Sequence, residues 1–310
     1  MSHARCEIDF CERENYETAH MLIQFLDIAI GGLLMGGIYA LIAVGFGLQY
    51  GVARVLNIAH GEFIMLGAFA AWTLFTMAGI SPLFSVLICA PFFFAVGFVI
   101  YALLYRPLRT SSESPAAFEG NSMLASFGLL FVIQNLALII WGAPVKGYSY
   151  MAFPIHVMGT VFSANRIVTL FVSLILGAAF YLFLMGTRTG KAIRAAAQDP
   201  DAAELMGVRI NRVLALCFGF GAMMAAVGGL LLSMTSVMVS PVMGMEYTLI
   251  AIIVVVLGGL GNIKGSFIGG FILGLVGYIV SSFQPGLSMV AYYVIFLLLL
   301  LVRPTGLLGK

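Results

Sequence analysis

Few side chains in this sequence could do bond chemistry, and their spacing argues against it. Cys6 and Cys11, with His3 and His20, offer thiol and imidazole donors, but the spacing matches no strong metal-ligand pattern, so no metal site is expected. Gly186-Thr-Arg-Thr-Gly190-Lys191-Ala192 approaches a phosphate-cradling loop, with one spacer too few and Ala where Ser or Thr must hold magnesium. Lys264-Gly265-Ser266 carries the same elements in reversed order. The chain is therefore not expected to hydrolyse ATP. No His/Glu metal pair, Ser/His pair or carboxylate dyad lies within reach, which disfavours an intramembrane enzyme. Asp27, Glu62 and Glu246 fall at the ends of apolar segments, and none sits mid-span where an ion-coupled transporter would commonly place its relay. What remains is polar and glycine-rich: Asn57-Ile-Ala-His60-Gly61-Glu62, the stretch 257–266, and the basic segment 187–212.

The elements that must position these residues are membrane helices. Of 310 residues, 62% are hydrophobic and only 9% charged, with a formal net charge of +2. Soluble domains usually carry about 25% charged residues, and no basic stripe is left over for nucleic acid. Charge-free runs cover 28–53, 63–105, 120–145, 167–187, 213–245, 247–263 and 265–302. A spanning helix needs about 20 apolar residues, and Gly79-Ile80-Ser81-Pro82 and Gln284-Pro285-Gly286 divide the two longest runs. Nine segments result, near 28–50, 63–79, 83–105, 122–142, 167–186, 213–236, 248–260, 266–283 and 287–302, the seventh too short to span comfortably. The apolar runs are continuous, which indicates helices and not alternating barrel strands. The fold class is thus an all-α polytopic bundle of eight or nine hydrophobic segments, interrupted near 257–266.

Lys and Arg favour the cytoplasmic side. Arg188, Lys191, Arg194, Arg209 and Arg212 place 187–212 inside; alternation then puts Arg54, Arg106, Arg109, Lys264, Arg303 and Lys310 inside, and Lys146 and Arg166 outside. The N-terminus is expected outside and the C-terminus in the cytoplasm. Residues 1–20 differ, with five acids against Arg5 and Arg13 giving −3, which leaves +5 on 21–310. This stretch is expected to be disordered or a misassigned start, with Met21 reading as a natural beginning of the membrane domain.

Glycines four apart, Gly32/Gly36, Gly261/Gly265/Gly269 and Gly270/Gly274, are expected to let helix backbones approach. In the interruption, Gly258, Gly259, Gly261 and Gly265 break two apolar segments, as gating or binding breaks do in transporters. Within 187–212 the Ala-rich part before Pro200 predicts a short helix, and Pro200 starts a second one with Asp199 as its N-cap. Two short helices between spans offer something for a partner to grip. For 57–62 two readings stand side by side: Asn57 or His60 caps a helix start with Glu62 favoured by the helix dipole, or the segment forms an inner gate with Gly61 as its flexible point. Gln49, Ser126, Gln134, Asn135 and Thr248 are candidates for polar contacts along a pathway, each equally able to satisfy a neighbouring helix.

The basic segment resembles the coupling loop of LIV-type permeases, the branched-chain amino acid permease family of ABC importers, H-type subunit. The match lies in Gly190, Arg194, Ala195, Asp199, Ala203, Met206 and Gly207. Asn57-x-Ala-His60-Gly61-Glu62, the Leu-Gly-Gly-x-Gly run at 257–265 and Arg303-Pro-Thr-Gly306 resemble further family signatures, so the likeness extends from about Met21 to the end. Asn262 stands where the family has Ser, and Lys264 adds a charge. The resemblance implies a non-catalytic permease subunit of an ATP-driven importer in a bacterial inner membrane, forming half of a path for branched-chain amino acids. It implies a second homologous permease, two cytoplasmic ATPase subunits that bind ATP and magnesium, and an extracytoplasmic solute-binding protein. Arg194, Asp199, Ala203 and Gly207 are the expected ATPase contacts. Related permeases for urea and short amides share these signatures and are the alternative; an ion-coupled secondary transporter is a further one.

Overall fold

A computed structural model describes residues 2–157, 160–235, 238–303 and 305–308, with the side chains of 2–22, Val157 and Pro285 outside that description. The Cys6/Cys11 cluster falls on side chains outside the described residues, whereas the backbone of 2–20, expected to be disordered or a misassigned start, belongs to a helix over Ser2–Ala53.

The nine hydrophobic segments are nine helices among the described residues: α1 (Ser2–Ala53), α2 (His60–Ala78), α3 (Pro82–Ile100), α5 (Pro115–Trp141), α6 (Ala164–Gly186), α9 (Ile210–Thr235), α10 (Met243–Gly258), α11 (Ile263–Phe283) and α12 (Ser288–Val302). Between them lie α4 (Arg106–Ser111) and, in the basic segment, α7 (Arg188–Gln198) and α8 (Pro200–Leu205). Among the described residues seven helices are long and apolar enough to cross a membrane, while α10 and α12 are shorter. A two-stranded antiparallel hairpin, β1 (Pro154–Val157) and β2 (Thr160–Ser163), pairs Pro154 with Ser163; the hydropathy pattern gave no sign of it.

Burial sorts the helices into centre and periphery. The most apolar windows of α9 and α1 are 83% and 72% buried, against 22% for the α3–α4 span and 17% for α5. Composition does not produce this split, since the α3–α4 window is more hydrophobic than either central one. Small residues do. Gly32 abuts Leu275, Gly36 abuts Phe271 and Gly51 abuts Gly261, which runs α1 antiparallel to α11 along its length. Gly228 meets Ile42 and Gly221 meets Gln49, setting α9 antiparallel to α1. With no hydrophobic drive between helices in lipid, such close approach is what holds them. The peripheral helices keep large side chains outward, among them Leu124 and Ile139 on α5.

One local irregularity has a visible cause. Residues Tyr101–Tyr105 form a π turn, with the Arg106 N–H bonded to the Tyr101 carbonyl. Pro107 lacks an N–H and its ring would collide with the carbonyl of Leu103, so the helix widens just before it. The turn points Tyr101 and Tyr105 at Phe218 of α9, with ring centroids 5.3 and 4.5 Å away.

Candidate functional site

Two regions collect the motif residues. In the first, chain 54–62 returns from the end of α1 into the interior and starts α2 there. Asn57, His60 and Glu62 are all fully buried, as are Gln49, Ser126 and Thr248 around them. Asn57 Nδ2 donates to Gln49 Oε1 (3.1 Å), the Tyr105 hydroxyl donates to Asn57 Oδ1 (3.3 Å), and Gln49 Nε2 donates to the Phe218 carbonyl (3.4 Å). Ile58 is held at both ends: its N–H donates to Ser126 Oγ (3.2 Å), and its carbonyl accepts from Thr248 Oγ1 (3.0 Å). Thr248 Oγ1 also accepts from the Gly61 N–H (2.8 Å). His60 Nε2 donates to the Ile42 carbonyl (3.2 Å), which fixes the Nε2–H tautomer because a carbonyl can only accept.

Capping is therefore not what Asn57 and His60 do. The N-cap position of α2 is Ala59, with no side-chain cap bond, because both polar side chains are drawn to α1 and Thr248 takes over a first-turn N–H. Glu62 does sit in the first turn, where the helix dipole favours it. Neither of its oxygens meets a partner among the described residues. Gly61 has a packing requirement that sequence did not reveal: a Cβ there would collide with the Gly244 carbonyl and Thr248 Oγ1. Gln49, Ser126 and Thr248 thus converge on one segment, whereas Gln134 and Asn135 sit apart on α5, where Asn135 Nδ2 donates to the Phe131 carbonyl of its own helix (2.7 Å).

The interruption at 257–266 is a tight turn joining antiparallel α10 and α11. Gly259 (φ 101°) and Gly261 (φ 80°) use backbone conformations that side chains rarely adopt. A Cβ on Gly265 would meet the Gly258 carbonyl, so this pair is the point of closest approach. Asn262 caps α11 through the Gly265 N–H (3.1 Å) and donates to the Leu308 carbonyl (2.8 Å). Together with Leu307 N–H on the Leu257 carbonyl (2.9 Å), this ties the chain's last described residues to the turn.

The second region is the basic segment. Asp199 Oδ1 accepts from the N–H groups of Asp201 and Ala202 (both 3.0 Å), the expected N-cap before Pro200. Thr187 caps α7 in the same way, through the Gly190 N–H (2.9 Å). Gly190 is buried, and a Cβ there would collide with the Leu184 backbone. The expected contact set needs two corrections. Ala203 is 5% exposed and packs inward, so it cannot itself meet a partner without displacing α8. The side chains that project are Leu205 and Met206, at 89% and 86% exposure, held out by Gly207 in a positive-φ turn (86°). Arg194 also turns inward and lines a cavity beside Gly261 and Lys264.

A third feature escaped sequence reasoning. A cavity of about 410 Å³ between α1, α10, α11 and α12 is lined by Arg166 and Glu246, by Tyr39, Tyr278 and Tyr292, and by apolar Met35, Ile250 and Met289. The hydroxyls of Tyr39 and Tyr292 lie 3.4 Å apart, and the Tyr278 hydroxyl donates to Asp27 Oδ2 (3.3 Å). The available signal was two lone charges of opposite sign flanking separate spans. In the connection between α5 and α6, burial pushes the Tyr148 hydroxyl up to about 12, so it stays protonated in its hydrogen bond with Ser233 (2.9 Å). Among the described residues no group of three or more His, Cys, Asp or Glu could hold a metal.

Comparison with known proteins places these features in a family. The pattern of the family described as "Branched-chain amino acid transport system / permease component" matches residues 28–302. The high-affinity branched-chain amino acid transport system permease protein LivH of Salmonella typhimurium is 32% identical, the match covering 94% of this chain and 98% of that protein. BraD of Pseudomonas aeruginosa, of the same description, is 31% identical over 93% and 97%. The probable LivH permease of Methanocaldococcus jannaschii is 27% identical over 90% and 91%. No solved structure matches. Relatives matched along almost their whole length, the family pattern from Ile28 to Val302 and a multi-helix membrane bundle agree: this chain belongs to the permease-component family of branched-chain amino acid transport systems.

Proposed function

We propose that the chain forms half of the translocation path of an ATP-driven importer for branched-chain amino acids in a bacterial inner membrane. The single observation that carries the coupling is the α7–α8 unit, which is capped at both helix starts, braced inward by Ile193, Ala196 and Ala203, and tipped by exposed Leu205 and Met206. A rigid lever with an apolar end suits seating in a groove of an ATPase subunit, whose closure on ATP and magnesium would then be transmitted to the bundle. Two such subunits, a second permease against the apolar outer helices and an extracytoplasmic binding protein complete the reading, with the basic end of the bundle facing the cytoplasm, the N-terminus outside and the C-terminus inside.

The relatives' names supply the substrate class, and the cavity of about 410 Å³ supports it. It combines a cation, an anion and apolar walls, which is the chemistry of a zwitterion with an aliphatic side chain. Asn57, His60, Gly61 and Glu62, with the 258–265 turn, would form the region whose rearrangement opens the path. The test is uptake by the assembled complex in vesicles. Leucine, isoleucine or valine should enter on ATP addition and urea should not. A double Leu205→Ser, Met206→Ser variant should lose at least about tenfold of uptake with unchanged thermal stability, since exposed substitutions usually shift stability by about 0.5 kcal/mol or less. Full uptake by that variant would remove the coupling role, and uptake of urea in place of the amino acids would overturn the substrate.

A further inference from the structure

Beside the coupling unit, at the basic end of the bundle, two adjoining cavities share lining residues. The first, about 580 Å³, is bounded by α1, α6, α7 and the 259–262 turn, and carries Arg194, Lys264, Gln198 and Asn262, with no carboxylate in its lining among the described residues. Arg194 lines this cavity, and its Nε, buried behind it, meets no hydrogen-bond partner among the described residues. A buried guanidinium nitrogen without an acceptor is costly unless something supplies one. The second cavity, about 460 Å³, is a groove between α6 and α11 walled by Val44, Leu174, Gly177, Ala178, Phe267 and Ile268. Tyr181, Ile263 and Lys264 line both. Lys264 stands at the junction, its Nζ 5.5 Å from the Tyr181 ring centre.

From this we infer that the two adjoining cavities together bind one anionic phospholipid, its phosphate between Arg194 and Lys264 and one acyl chain along the α6–α11 groove. The charge has the right sign at one end and is absent at the other. Leu174, Ala178 and Ile268 are exposed, so the groove opens to the surrounding apolar phase and not into the bundle. Positive residues mark the cytoplasmic side, the leaflet whose anionic lipids such basic pockets take up. Lys264 also acquires a reason: it is a cation in an otherwise uncharged glycine turn over 257–266. A lipid held there would brace α7 against α11 where the coupling unit joins the bundle.

The assembled complex, purified in detergent and stripped of lipid, is titrated with phosphatidylglycerol and with phosphatidylcholine of identical acyl chains, and bound lipid is read by native mass spectrometry. Phosphatidylglycerol should be retained in preference, and Lys264→Gln should lower that preference about fivefold, the worth of one cation at an anionic headgroup. Lys264→Arg should keep it. Ala178→Trp, which fills the groove from an exposed position, should lower retention of both lipids. Equal retention of the two lipids by the unaltered complex would overturn the inference, as would a preference unmoved by Lys264→Gln. Glycerol phosphate without acyl chains, bound as tightly as the lipid and displacing it, would make the cavity a soluble-anion site and overturn it equally.

Discussion

The interior segment 56–62 and the projecting segment 199–207 look alike as sequence, each a short polar and glycine-bearing motif beside a helix start, yet they are opposite kinds of structure. Around 56–62 every polar side chain is turned into the protein, and backbones touch at Gly61 and Gly244. Around 199–207 the backbone is organised by its own caps, and the large side chains point away from the chain. The first region is specified by what other helices bring to it. The second is specified locally and keeps its surface for something else. Substitutions in the interior should therefore cost stability, and those in the projection should cost communication while leaving the bundle intact.

The sharpest way to break that contrast is Gly61→Val. Its branched Cβ meets the Gly244 carbonyl and Thr248 Oγ1, both fixed by hydrogen bonds. Overpacking of a close core contact costs about 1–3 kcal/mol and more where backbone must move, so both uptake and the thermal midpoint in detergent should collapse. A normal midpoint with uptake lost would restore Gly61 as a flexible gate point; normal uptake would remove the region from the mechanism. Next comes Tyr105→Phe, which leaves the buried Asn57 Oδ1 without the donor it has in this structure. The loss should be about 1–3 kcal/mol, seen as a lowered midpoint. An unchanged midpoint would mean that the π turn, and not the hydrogen bond, positions Tyr105. The smallest effect is expected from Asp199→Ala. Removing the N-cap of α8 should cost about 1 kcal/mol, confined to faster amide exchange at Asp201 and Ala202 and a partial loss of ATP-coupled uptake. A fall in the global midpoint comparable with that of Gly61→Val would show that the projection is not an independent unit.

Much of this was open to reading from residues alone. Continuous apolar runs and their Gly-Pro punctuation located all nine hydrophobic helices, because spanning length and backbone self-satisfaction are local demands. The same holds for Asp199 and Pro200, whose cap and first-position roles depend on three or four neighbouring residues. The cap expected of Asn57 or His60 failed for the complementary reason. At an interior helix start, the nearest acceptors and donors belong to α1, α5 and α10, and they outcompete the local pattern. Ala203 misled in a related way: a matching motif position says that a small residue is needed, but not whether it faces a partner or the chain's own helix.

The sequence by itself determined that this is a helical membrane protein, which stretches form its apolar helices, which end is basic and which motifs it shares with its family. Each of these follows from composition and short-range chemistry. Only the tertiary structure decided that α9 and α1 are central, that Gln49, Asn57, Tyr105 and Thr248 meet around one segment, and that Arg194 and Lys264 share a cavity. In a chain of uniformly apolar helices, hydropathy cannot rank neighbours. The choice falls to small residues that let particular backbones touch and to polar groups that must find partners away from water.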